Sequence, residues 1–178
     1  MSDQKRLFAL ISGIAVSLLA AGAANAQNPP KDASCDYTVA SLEGSYSVLA
    51  NYGANVALGL WAETLDGKGN LVRTGILNEP TSGSTTGART LVVVSSVGTY
   101  TVNCNGTGTM VRTVTLPNGG TTSETDDFII TGATEGSGRI LVATTIADAT
   151  RVPSAIVAGG IFVTHVHTKL PDMDSSGK

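Results

Sequence analysis

Residues 56–65 read VALGLWAETL, residues 66–69 DGKG, and residues 70–77 NLVRTGIL. Two apolar-rich segments of strand length thus flank a turn with Gly67 and Gly69 where the backbone must reach positive φ. Such a pair reads as a β-hairpin. The same pattern continues outward. Residues 44–52 (GSYSVLANY) predict a strand before the hairpin. After it comes a loop over 79–89, rich in Ser, Thr, Gly and Pro, then an apolar strand over 91–97. Gly98 is expected to break or bulge that strand before residues 99–103. Residues 109–116 then pair with 121–130 across the turn Pro117-Asn118-Gly119-Gly120. A turn over 132–138, a strand over 139–147, a connection over 148–154 and a strand over 155–168, bent at Gly159-Gly160, complete the series. No window carries the 3.6-residue apolar period of an amphipathic helix.

About eight strands joined mostly by short turns bury their apolar face, and lose their edges, best by closing. The expected fold is therefore all-β, an antiparallel up-and-down β-barrel. A two-sheet β-sandwich is the competing architecture. The barrel domain is expected over 41–170, after a flexible lead-in over 27–40 that contains Cys35 and before a disordered polar tail over 171–178.

The N-terminus has the parts of an export signal. Lys5 and Arg6 precede an uncharged apolar stretch over 7–24, and Ala24-Asn25-Ala26 is a small-x-small cleavage pattern. Residues 1–26 are expected to be a signal peptide, which places the mature chain in the periplasm or outside the cell. No later segment is apolar and long enough to span a membrane as a helix. Cleavage removes Asp3, Lys5 and Arg6 from a total of 11 basic and 14 acidic residues, leaving 9 against 13, a net charge of −4. No cluster of Lys or Arg occurs, which argues against nucleic acid and anionic lipid as partners. Outside the cytoplasm, Cys35 and Cys104 read most simply as a disulfide, since they lack CxxC spacing and a nearby basic group. Oligomeric state is not legible at this level.

Three further stretches carry a resemblance. Cys35 followed by Leu42-Glu43-Gly44-Ser45-Tyr46, the turn Asp66-Gly67-Lys68-Gly69, and Gly98-Thr99-Tyr100-Thr101-Val102-Asn103-Cys104 with Gly106-Thr107 stand in this order. The pattern resembles small exported bacterial β-barrel proteins of unknown function, related in shape to allene oxide cyclase and more distantly to lipocalins. It extends from Cys35 to about Phe162. The resemblance implies an eight-stranded barrel with the two cysteines bridged. Its motifs are turns, strand starts and cysteines, so no activity is carried over residue by residue.

The chemistry-bearing residues are few. His165 and His167, the only histidines, share a strand face and could approach one metal ion, while the plainer reading is a polar strand end near the surface. Glu63 shares a face with Trp61. If that face lines the barrel, the acid is desolvated, its pKa is raised, and it suits acid–base work; otherwise it faces solvent. Glu124 and Asp126 share a face beside Asp127, and read first as a solvated acidic face. Tyr46, Trp61, Tyr100 and Phe162 are the aromatics that could line a ligand pocket or simply pack a core. No nucleophile elbow, P-loop, dinucleotide fingerprint or HExxH motif is present, and no cofactor is expected. The leading expectation is a non-catalytic exported barrel that binds a small apolar ligand or serves as an envelope or matrix component. The alternative is an isomerase or cyclase of allene oxide cyclase type acting inside the barrel.

Overall fold

The computed structural model describes residues 35–53, 56–152 and 160–171. The expected signal peptide, most of the lead-in and most of the polar tail lie outside the described residues. Eight strands, β1 (Gly44–Asn51), β2 (Leu58–Leu65), β3 (Asn70–Pro80), β4 (Arg89–Val102), β5 (Thr107–Thr115), β6 (Thr121–Glu135), β7 (Leu141–Thr150) and β8 (Thr164–Lys169), close into a barrel in sequence order. Every neighbouring pair is antiparallel, and β8 returns to β1 to leave no free edge.

The hairpin from β2 to β3 forms in the expected register, with Leu65 opposite Leu71. Its turn is held by the Asp66 carboxylate, which accepts from the Lys68 and Asn70 amides at 2.8 and 2.9 Å. Gly67 and Gly69 take φ of 68° and 101°, a region that glycine enters without steric cost. The strand expected to break at Gly98 instead runs unbroken from Arg89 to Val102. A side chain at Gly98 would meet the Val111 carbonyl oxygen of β5 at 2.1 Å, so the glycine serves close strand approach rather than interruption. The turn expected over 132–138 begins later. Strand β6 passes through a register irregularity at Gly132 and ends at Glu135, before a short 3-10 turn over Ser137–Arg139.

Cys35 and Cys104 form a disulfide. It ties the chain entering the barrel to the β4–β5 turn, and the 3-10 turn Val39–Leu42 that follows packs against β7 and β4. Leu42 is fully buried there, and the Tyr100 hydroxyl donates to the Val39 carbonyl at 3.2 Å. Residues 37, 38 and 40 of the lead-in are thus half-buried against the barrel end, and Leu42 just beyond them enters the core. No helix among the described residues is long and apolar enough to cross a membrane.

Inward positions alternate along each strand. Near the disulfide they are apolar, with Tyr46, Leu65, Leu71, Met110 and Phe128 packed around Leu42. Two residues further along several of the same strand faces the lining becomes charged.

Candidate functional site

The charged lining follows from parity. Glu63 stands between inward Trp61 and Leu65, Arg112 between inward Met110 and Val114, and Asp126 beside inward Phe128. Arg73, Glu124, Asp148, His165 and His167 are buried in the same way. Small neighbours make room for them. Strand β1 presents Val48 and Ala50 between β2 and β8, and β4 presents Ser96 opposite Arg73.

These side chains form one connected network. Arg73 Nε donates to Glu63 Oε2 at 2.9 Å. Glu63 Oε1 lies 2.8 Å from His167 Nδ1, and His167 Nε2 lies 2.9 Å from Asp148 Oδ2. Asp148 Oδ1 in turn lies 2.5 Å from His165 Nδ1. Arg112 joins the other side of the barrel. Its guanidinium bonds Asp126 and, at 3.2 Å, Glu124, and stands 3.9 Å from Asp148.

The geometry assigns the protons. A carboxylate only accepts, so both nitrogens of His167 donate and the ring is an imidazolium. Burial alone would push its pKa down, yet Asp148 and Glu63 outweigh that and raise it. His165 donates from Nδ1 to Asp148 and has no partner at Nε2 among the described residues. Burial dominates there and pulls its pKa down to about 4 despite Asp148, which makes it a neutral imidazole with a free Nε2 lone pair. Asp126 goes the other way. Burial raises it, and although Arg112 opposes, the nearby Asp148 and Glu124 carboxylates hold it at about 7. Glu63 departs from expectation. Burial would raise its pKa, but Arg73 and His167 together hold it well below the usual carboxylate range. Glu63 is therefore a fixed counterion rather than a proton carrier.

Glu63 lines the interior, as its shared face with Trp61 allowed. Neither histidine is at the surface, and Glu124 and Asp126 form no solvated face, because β6 turns that parity inward. Asp127 alone points out, paired with Arg151. Trp61 lies 5.8 Å from the Arg73 guanidinium carbon, and its indole nitrogen has no hydrogen-bond partner. Tyr46 is a packing residue whose hydroxyl donates to the Ala143 carbonyl at 3.1 Å. Tyr100 holds the 3-10 turn, and Phe162 is exposed. Arg73, Arg112 and Asp148 were not singled out from sequence, although each shares its strand face with buried apolar residues.

Asp126, Asp148 and His165 bring potential ligand atoms within 4.8 Å of one another. Arg112, already bonded to Asp126, puts a fixed positive charge against the same carboxylates, and both Asp148 oxygens face imidazole nitrogens. His167 has no free nitrogen. The group is thus built as an internally compensated ionic network, in which His165 Nε2, Asp126 Oδ1, Glu124 Oε1, Arg112 Nε and Arg73 Nη2 are buried without a hydrogen-bond partner among the described residues.

A hollow of about 350 Å³ opens at the mouth away from the disulfide, lined by Leu77, Val92, Val94, Leu116 and Pro117 with Glu79 and Asn118. Along β4, inward Val92 and Val94 lead to Ser96, and along β3 Leu77 leads through Gly75 to Arg73. Compared with known proteins, the chain matches no family model, no curated protein and no solved structure.

Proposed function

We propose that this chain is an exported barrel enzyme of the isomerase or cyclase type, which moves a proton on a small molecule held at its charged interior. The observation that carries the reading is His165. Its Nδ1–H is anchored to Asp148, its Nε2 has no partner among the described residues, and its low pKa leaves that nitrogen unprotonated near Asp126, a carboxyl that retains its proton up to about pH 7. A base and an acid held in different protonation states within one desolvated site are what proton abstraction and return require. In this reading His165 takes the proton, Asp148 orients it, Asp126 supplies one, and Arg112 steadies developing negative charge.

The apolar hollow above Ser96 and Arg73 suits a substrate with an apolar body and a polar reacting group. The resemblance to allene oxide cyclase-like barrels supports the same class at the level of fold only. Export is supported by the leader pattern together with the Cys35–Cys104 disulfide.

The test is incubation of the purified protein with a panel of epoxy fatty acids and enolisable ketones in D2O. Isomerisation or deuterium uptake at carbon is expected with the wild type and should be lost in His165→Gln. Equal behaviour of the two proteins, with the fold of both verified, would defeat the proposal. The apolar hollow also favours a second reading, binding without chemistry. In that case native mass spectrometry finds a retained apolar molecule in both proteins and no substrate turns over.

A further inference from the structure

The outside of the barrel is two-faced. Following the register across five strands, Val166 of β8 stands beside Leu49 of β1, Leu49 beside Leu60 of β2, Leu60 beside Ile76 of β3, and Ile76 beside Val93 of β4. All five point outward and are 36–66 % exposed. Leu58 and Leu91 extend the band toward the mouth away from the disulfide, both exposed and both level with Asn78. The one charged outward residue on these five strands is Arg89 at the start of β4, whose Nε donates to Asn78 Oδ1 at 2.8 Å at the edge of the band. The other side of the barrel, β5 to β7, presents mainly Thr and Ser together with the Asp127–Arg151 ion pair.

An uncharged apolar band of this extent on an exported protein marks a contact surface. A bilayer does not fit it. A membrane barrel needs an apolar band all the way round and strands of about 9–11 residues, whereas three of the eight strands are mainly polar outside and β1, β2 and β8 have 8, 8 and 6 residues. Addition of a strand is also excluded, because the closed barrel has no open edge. What remains is packing face to face.

We infer that the band is the seat of a second copy of this chain, packed sheet on sheet. Three features favour that occupant. At the centre of the band Leu49, Leu58, Leu60 and Ile76 are exposed, contiguous and wholly apolar, the composition of the buried middle of a stable interface. The band's own side chains are uncharged and the one neighbouring guanidinium, Arg89, is held at its edge by Asn78, so the centres of two identical faces meet without like-charge repulsion. The surface also supplies both halves of a fit. A groove of about 630 Å³ is lined by Leu49, Leu60, Ala62, Thr74, Ile76 and Val166, and one strand away Val93 stands 66 % exposed as a ridge that can enter it. A groove and a ridge side by side on one face are what a symmetric self-contact uses.

The test is the mass of the purified protein in solution, read by sedimentation velocity at micromolar concentration. The wild type is expected to be an oligomer. Leu60→Asp, which puts a charge at the centre of the band, should weaken association by about 100-fold or more. The double variant Leu60→Thr, Val93→Thr keeps strand-favouring side chains and should also dissociate, so the inference stays testable if the aspartate variant does not fold. A monomeric wild type would overturn it, and so would variants that fold and keep the wild-type mass. A wild-type monomer that floats with phosphatidylcholine–phosphatidylglycerol vesicles would assign the band to lipid instead.

Discussion

Glu63 and His167, 104 positions apart in the chain, meet at 2.8 Å across the inward face of β1. Glu63 stands opposite Tyr46 and His167 opposite Val48, so the two side chains meet on the diagonal over the strand that separates β2 from β8. Their contact links an arginine-bound carboxylate to an imidazolium, and the imidazolium to Asp148 and His165. The position of the free His165 nitrogen therefore rests on a chain of ionic contacts that begins at Arg73.

Glu63→Gln should be strongly destabilising. The amide keeps the shape but leaves Arg73 and His167 buried without their shared counterion. Removing one partner of a buried pair costs about 3–5 kcal/mol, because the charges left behind cannot be rehydrated. Urea denaturation of the variant against wild type measures this directly. A loss below about 1 kcal/mol would mean that water reaches the network and that it is not the dry structure described.

The pH dependence of stability follows from the directions of the shifts. Glu63 and Asp148 are held below their usual range in the fold, so their contribution is present above about pH 4 and is lost as the pH falls. His167 is held above its usual value of 6.5, so its contribution is complete below that pH and is lost as the pH rises through the folded value. Between pH 4 and 6.5 the unfolded chain takes up a proton at His165 that the fold refuses, so stability rises with pH. Over nearly the same range the fold keeps a proton on Asp126 that the unfolded chain releases, so stability falls with pH. The two oppose one another and leave a plateau. Melting temperature should be nearly flat from about pH 5 to 6.5 and drop on both sides. Asp126→Asn should tilt the plateau so that stability rises with pH. A melting curve that climbs steadily to pH 9 would contradict the charge assignment of His167.

The two histidines should also separate in NMR titration. His165 is expected to stay neutral down to about pH 4 and His167 to remain charged above its ordinary value. In Asp148→Asn both rings lose the carboxylate charge they share, and His167 should titrate at a lower pH than in wild type. A single common midpoint near 6.5 would show two exposed, independent imidazoles.

The barrel was legible in the chain because turn chemistry at Asp66–Gly69 and Pro117–Gly120 fixes strand neighbours, and short connections leave few topologies. The interior was not. On β2 the outward residues Leu58, Leu60 and Ala62 are as apolar as the inward Trp61 and Leu65, so hydrophobicity alone cannot say which way Glu63 points. The same holds on β3, where outward Val72 and Ile76 flank inward Arg73. Strand β5 is the exception. Four of its five outward residues are Thr, with Val111 the exception, so Met110 and Val114 mark the inward parity that carries Arg112 inside. The network itself joins residues from β2, β3, β5, β6, β7 and β8, a juxtaposition that only barrel closure creates.

The disulfide closes a loop with a sequence separation of 69 and anchors the turn that brings Leu42 into the core. Replacing both Cys35 and Cys104 with Ser should cost about 4 kcal/mol, mostly by freeing the unfolded chain. Guanidinium denaturation with and without reductant reads the effect. Reduced wild type should match the double variant. If it keeps the stability of the oxidised protein, the bridge does not constrain the unfolded chain as this loop length requires.

Gly98 tests how tightly the charged layer is clamped. It pairs with Arg112 across β4 and β5, and a methyl group there would meet the Val111 carbonyl oxygen at 2.1 Å and Arg112 Cα at 3.0 Å. Both obstacles are backbone, so Gly98→Ala must push the strands apart at the residue that binds Asp126 and Glu124. A cost of about 3 kcal/mol is expected for such overpacking. Displacement of Arg112 should also move the pKa of Asp126 further up, since its only attached cation recedes. Gly83→Ala is the control, because nothing lies within 4 Å of that position and only its φ of 74° is unfavourable. Its cost should be about 1 kcal/mol. Equal effects of the two substitutions would indicate that β4 and β5 can separate freely at Gly98, and that Arg112 is held by its ion pairs rather than by the backbone beneath it.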